Sequence, residues 1–211
     1  LKRLDYISMR ENRGSEIVRE LTGLDVPVIL DPVFNFNKEQ WEKLIPVKKE
    51  MNEPYIFAYF LGANPEYRKQ VQKLAESTGL KIVALRHMDQ YVENDEAFGD
   101  YAPYDVAPDR FLNFIRGAEY VCTDSFHGTV FSLIFHTPFV VFERKEHFKT
   151  MKSRLDTLLS MMNCLQRKQN NMDIGEAMSM EFDGTDKLIK QEKKKFKEFL
   201  LEIQKEKEIN A

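Results

Sequence analysis

"TDSFHGTVFSLIFHTPFVVF", residues 123–142, sets a polar cluster between apolar runs. Tyr120-Val121-Cys122 leads into it, Val130 to Phe135 follows with helical length, and Phe139 to Phe142 is apolar again. A short apolar run, a polar turn, an apolar helix and a second short apolar run describe strand, helix, strand. Strands that are apolar at every position, without alternation, are buried on both faces, as in a parallel sheet. The cluster Thr123-Asp124-Ser125-Phe126-His127-Gly128-Thr129 therefore falls where a buried strand hands over to a buried helix. We place the helix over Thr129 to Phe135.

The same rhythm extends upstream. Pro54 to Leu61 is a continuous apolar run ending at Gly62. A helix from Pro65 to Ser77 with Val71, Leu74 and Ala75 inward is followed by Gly79 and the strand Lys81 to Leu85. Earlier still, Asp5 to Met9 and Val26 to Leu30 read as strands around a helix at Ser15 to Leu21, and Asn37 caps a helix over Lys38 to Leu44. Pro108-Asp109 opens another helix, with proline in its first turn. Residues 88–107, acidic and rich in tyrosine, read as a long loop, a length that in compact domains usually serves a function. From Lys187 to Glu208 a charged helix carries an apolar stripe of Leu188, Phe196, Phe199, Leu200 and Ile203, which leaves Lys193 to Lys195 as its solvated face. Alternating strands and helices predict an α/β fold with a doubly wound, mainly parallel, Rossmann-like sheet.

Composition narrows the function classes. With 43% hydrophobic and 31% charged residues of both signs, the chain of 211 residues is an ordinary globular protein able to bury a core. A net charge of −3 argues against a nucleic-acid partner, which needs a basic field. Two cysteines are too few for a disulfide framework, so Cys122 and Cys164 are expected as thiols in a reducing cytoplasm. No apolar stretch reaches the roughly 18 residues of a membrane span. The opening ten residues read as mid-domain, so the expectation is a piece of a longer protein.

In open α/β sheets ligands bind beyond the carboxyl ends of the strands. Residues 124–129 lie at such an end and also open a helix, whose unpaired N–H groups suit phosphate or carboxylate. Gly128 would let a ligand approach the backbone, and His127 could donate to an anion or exchange a proton near neutral pH. A plainer account fits the same residues: Asp124 or Ser125 as helix cap, His127 as a satisfied first-turn histidine. His136 reads as a C-terminal cap, and His87 and His147 lack metal-ligand spacing to a partner, so no metal site is expected. Ser125 and Asp124 sit too near in sequence for the usual geometry of a Ser-His-Asp triad, and no glycine-rich phosphate loop of the G-x-G-x-x-G or Walker type occurs.

The stretch 123–142 resembles the signature segment of the polysaccharide pyruvyl transferase family. "YISMRENRGSEIVRELTG" followed by "VPVILDPVF" is similar to that family's strand, Arg-Glu, helix, strand and Asp-Pro stretch, and "SRLDTLLSMMNCLQR" to its Ser-Arg…Leu-Leu…Arg segment. The three matches occur in the family's order. The resemblance implies the C-terminal half of a GT-B-like two-domain protein. Residues 1–33 would end, or cross over from, an N-terminal Rossmann-like domain missing from this chain, 34–186 would form the donor-binding domain, and 187–211 a C-terminal amphipathic helix. It also implies transfer of the enolpyruvyl unit of phosphoenolpyruvate to a sugar of a cell-surface or exopolysaccharide, or its lipid-linked precursor, giving a pyruvate ketal. Phosphoenolpyruvate would be a donor substrate, and no cofactor is implied.

By the same resemblance, His127 matches the family's histidine and takes the catalytic role, while Arg10, Ser125, Gly128, Thr129 and Arg154 form the substrate-binding set. Arg10 could equally pair with Glu11 or a helix end, Arg154 could equally be structural, and Asp31 before Pro32 reads as a turn residue. Some branches carry arginine where this chain has Ser125, which cannot neutralise phosphate; Arg10, Arg144, Lys145 or Arg154 would substitute. The expected partners are phosphoenolpyruvate and a sugar or lipid-linked acceptor, with peripheral membrane association left open. Two other readings keep the fold. One is a glycosyltransferase using a nucleotide sugar, though no ribose-binding carboxylate stands out. The other is a non-catalytic carbohydrate-binding half using loop 88–107.

Overall fold

The computed structural model describes residues 1, 3–88, 91–144, 149–171 and 178–209. The chain forms two compact units, one from residues 1–35, 148–164 and 183–211, the other from 36–147 and 165–182. Neither unit is one unbroken run of chain, because residues 148–164 group with the opening segment.

The second unit is built on a sheet that, among the described residues, has four parallel strands in the order β2-β1-β3-β4. These are β1 (Tyr55–Tyr59), β2 (Lys81–Leu85), β3 (Tyr120–Thr123) and β4 (Phe139–Val141). Register runs through Phe57, opposite Val83 on one side and Val121 on the other, with Val121 opposite Phe139. Since β1 pairs with both β2 and β3, its two faces and two edges are all covered, which is why Tyr55 to Ala58 are all buried.

Each strand passes to a helix whose limits are set by local chemistry. α3 (Pro65–Thr78) starts where the Asn64 side chain accepts the Glu66 N–H at 3.0 Å with proline at its first position, and stops where Gly79 turns left-handed at φ 72°. Its Tyr67, Val71 and Leu74 pack against Ile56, Ala58, Ile82, Cys122 and Val140. On the opposite face, α4 (Pro108–Arg116) and α5 (Phe126–Phe135) carry an aromatic layer. Phe57 lies 5.8 Å from Phe114 and 5.9 Å from Phe111, and Phe111 lies 6.5 Å from Phe131. α2 (Lys38–Leu44) adds Trp41 to that layer, 5.3 Å from Phe131. Helices on both faces of a parallel sheet give the doubly wound α/β fold that the apolar runs predict.

Residues 91–107 are more ordered than the expected loop. Tyr101 bridges to Val83 in parallel, with Ala84 N–H donating to Tyr101 O at 2.9 Å and Ile82 N–H to Asp100 Oδ2 at 2.8 Å. Gly99 sits at φ 93°, where a Cβ would stand 2.8 Å from Ala84 Cβ, so this approach to the strand requires glycine.

In the first unit α1 (Asn12–Thr22) packs with α6 (Lys149–Met161), and α7 (Asp183–Ile209) lies against the turn Pro32–Asn35. The two strands expected at 5–9 and 26–30 reduce to one parallel bridge, Met9 to Val28. Pro27 accepts the Met9 N–H and Ile29 N–H donates to Met9 O, but Pro27 has no N–H to give Ile7, so the ladder cannot extend towards the start of the chain. Cys122 and Cys164 are both buried thiols.

Candidate functional site

In the sheet, β1 leads outward to β2, then the chain returns to β1's other side for β3 and β4. The connections therefore diverge between the carboxyl ends of β1 and β3, the place where ligands bind in such sheets. By that rule residues 60–64 and the start of α3 would form one lip of a binding crevice, and residues 124–128 the other.

α5 begins at Phe126, three residues before the position expected from its apolar run. Local bonds explain the difference. Thr123 Oγ1 donates to Tyr59 O at 2.6 Å and accepts Ser125 N–H at 3.0 Å, and Ser125 Oγ accepts Gly128 N–H at 3.3 Å. Ser125 is thus the N-cap, and Thr129 hydroxyl donates back to its carbonyl at 3.0 Å. His127 is the second residue of the helix and is exposed, its ring edge-on to Phe126 at 5.4 Å.

Its neighbours face inward. Ser125 is 3% exposed and Thr129 fully buried, so both build the turn beneath His127. Gly128 is buried too, and a Cβ there would stand 2.8 Å from Thr123 Oγ1. The absent side chain makes room for Thr123.

Asp124 has the most unusual setting. Fully buried, it accepts Leu61 N–H at 2.7 Å and Gly62 N–H at 2.9 Å, and its Oδ2 lies 3.5 Å from Arg144 Nε. Burial pushes its carboxyl above the ordinary value, against the two backbone donors and the Arg144 and Arg68 charges that pull it down. Beside it, Arg68 Nε donates to Asp95 Oδ1 at 2.7 Å, and Asp95 Oδ2 lies 2.7 Å from His87 Nδ1. Burial raises Asp95, but the His87 ring and backbone donors and Arg68 outweigh it, leaving the carboxyl below its usual range. Reading by local pattern missed Asp124, Arg68, Asp95 and His87 as a set, because their contacts span 27 to 63 residues of sequence or depend on a carboxylate in the loop. The one local hint is Gly62 directly after the apolar run of β1.

Arg10, Asp31 and Arg154 belong to the first unit. Arg10 pairs with Asp31, itself 5% exposed, rather than with Glu11. Asp31 also accepts Val33 N–H at 3.2 Å, closing the turn expected of it. Glu11 instead faces Arg154, whose Nε lies 3.8 Å from Glu11 Oε1. Of the cations that could stand in for the arginine missing at Ser125, Arg144 lies beyond β4 at the carboxyl edge of the sheet, and Lys145 lies outside the described residues. His136, in left-handed conformation at φ 59°, caps α5 as expected and stacks on Phe182 at 4.9 Å; His147 also lies outside the described residues. Among the described residues, no cluster of His, Cys, Asp and Glu is placed to hold a metal, and no helix is long and apolar enough to cross a membrane.

The sequence profile of the family described as polysaccharide pyruvyl transferase matches residues 1–146. No curated protein matches the chain. Among solved structures, a Listeria monocytogenes protein described as a UDP-N-acetylglucosamine 2-epimerase is similar at 15% identity and a TM-score of 0.43. That similarity covers 88% of this chain and 57% of the other, so the chain spans little more than half the length of that protein.

Proposed function

This chain belongs to the polysaccharide pyruvyl transferase family, a family of transferases, and on that premise we propose that it transfers enolpyruvate from phosphoenolpyruvate to a sugar. The observation that carries the reading is the exposed His127 on the first turn of α5, at the crevice between β1 and β3. In the reaction a proton adds to the methylene carbon of phosphoenolpyruvate, and two sugar hydroxyl oxygens bond to the adjacent carbon as its phosphate oxygen bond breaks. One hydroxyl proton ends on the new methyl group and the other leaves with phosphate, giving a pyruvate ketal. Both additions need a positioned proton donor or acceptor. His127 takes that role or bonds the phosphate. Ser125, Gly128 and Thr129 fix the turn that presents it.

Phosphoenolpyruvate brings a phosphate and a carboxylate, so cations must share the site. Arg144 is the cation of the second unit proposed for that task. Arg10 and Arg154, which pair with Asp31 and Glu11 within the first unit, are proposed as anion-binding residues of that unit. The fold is proposed as GT-B-like. The acceptor is proposed as a cell-surface or exopolysaccharide sugar or its lipid-linked precursor, with no cofactor. A cytoplasmic setting fits the two buried thiols.

The test uses the complete protein with phosphoenolpyruvate and a lipid-linked sugar, measuring phosphate release and ketal formation. His127→Ala should lower turnover by about 10²–10⁴-fold with the melting temperature unchanged, as loss of an exposed acid–base group predicts. Near-normal turnover with a lowered melting temperature would reduce His127 to a structural residue. Turnover of a nucleotide sugar and none of phosphoenolpyruvate would replace the donor.

A further inference from the structure

The connection from β1 to α3 is gripped from two sides by buried charges. Asp124 takes the N–H groups of Leu61 and Gly62, at 2.7 and 2.9 Å. Arg68, 3% exposed, donates from Nη1 to the carbonyl oxygens of Gly62 and Asn64, each at 3.1 Å. Gly62 leaves no room for a side chain: a Cβ would stand 3.0 Å from Asp124 Oδ2 and 3.2 Å from Arg144 Cγ.

Arg68 is itself fixed in place. Its Nε and Nη2 reach Asp95 Oδ1 at 2.7 and 2.6 Å, and its guanidinium lies 5.6 Å from the Phe60 ring centre and 5.9 Å from that of Phe98. Asp95 is held in turn by the His87 N–H at 3.0 Å and by the His87 ring.

A strand-to-helix connection this short needs no buried ions, since Asn64 and Pro65 already start α3. Buried charges carry a desolvation cost of several kcal/mol each, and fixing one conformation is the best-attested reason for keeping them. The backbone they fix is the β1 lip of the crevice, across from the lip that bears His127. Preorganised backbone beside a reacting group lowers the cost of orienting a ligand.

We infer that Asp124 and Arg68 are positioning residues, which hold the backbone of Leu61 to Asn64 as the fixed second lip of the donor site. The inference rests on the donor reading above. A lip that binds donor and transition state alike acts on binding and not on the chemical step.

The experiment measures hydrogen–deuterium exchange on the complete protein with and without phosphoenolpyruvate, together with steady-state kinetics. In the unaltered protein the donor should slow exchange both at 61–64 and at 126–129. Asp124→Asn places an amide NH2 group against a backbone N–H, so exchange at Leu61 and Gly62 should rise roughly 10–100-fold, as for a lost buried hydrogen bond. KM for phosphoenolpyruvate should rise by a similar factor in Asp124→Asn and in Arg68→Lys, with kcat within about threefold. His127→Ala differs, because it lowers kcat. Donor protection at 126–129 without protection at 61–64, or an unchanged KM in a folded Asp124→Asn or Arg68→Lys protein, overturns the inference and leaves the donor reading intact. Protection at neither segment overturns both.

Discussion

At the scale of single residues, Gly128 shows how a site position can be fixed by what lies beneath it. Its missing side chain is filled by Thr123, whose Oγ1 and Cγ2 would stand 2.8 and 3.2 Å from an added Cβ. Thr123 cannot withdraw, because the same hydroxyl bonds Tyr59 O and Ser125 N–H. Gly128→Ala should therefore destabilise the second unit by about 1–3 kcal/mol, the usual effect of overpacking. Thr123→Ala alone should also destabilise, by leaving Ser125 N–H without its acceptor. Combined, the two changes should cost clearly less than their sum, since the first removes the atoms that the second meets. Chemical denaturation of the two single variants and the double variant measures the coupling. Strict additivity would mean that Gly128 answers to something other than Thr123.

Whole elements are likewise fixed by single side chains. α5 owes its start to Ser125, whose Oγ accepts Gly128 N–H, so Ser125→Ala should destabilise by about 0.5–2 kcal/mol. Ser125→Asn supplies another capping oxygen and should recover most of that stability. If Ser125 also binds donor, the asparagine variant would be stable yet raise KM for phosphoenolpyruvate, and paired melting and kinetic measurements separate the two roles. Elements defined by short-range chemistry were legible in the sequence. β1 and β2 are apolar runs closed by polar or glycine residues, and α3 carries Asn64, Pro65 and Gly79 at its ends. The edge position of His127 follows from that pattern. What local pattern could not supply is long-range geometry. The bridge of Tyr101 to Val83, the fit of Gly99 against Ala84 and the grip of Asp124 on Leu61 each join segments 15 or more residues apart. Phe126 and His127 read as loop because the cap that makes them helical draws on Thr123, at the end of the preceding strand.

For the molecule as a whole, buried carboxylates of opposite tendency govern the response to acid. Asp95 ties α3, through Arg68, to the segment after β2, through His87, so its charge supports much of the second unit. Its folded-state pKa lies below the unfolded value of 3.8, so its contribution is complete above that value and is lost as pH falls through the folded one. Asp124 has the opposite sign. Its folded-state pKa is raised, so it holds a proton more tightly in the folded state; its contribution is present below 3.8 and lost as pH rises through the raised value. Asp95→Asn should therefore be less stable than the parent at neutral pH, with the gap closing as pH falls below 3.8. Asp124→Asn removes the opposing effect, so its stability should fall more steeply in acid than that of the parent. Trp41, the chain's single tryptophan, packs at 5.6 Å from Phe36 and 5.3 Å from Phe131, so its fluorescence reports unfolding of this unit. Denaturation followed by that signal between pH 3 and 7 gives the slopes for the three proteins. A gap between Asp95→Asn and the parent that stays constant across this range would show that the Asp95 charge does not support the unit, and that its hydrogen bonds act equally well through a neutral side chain.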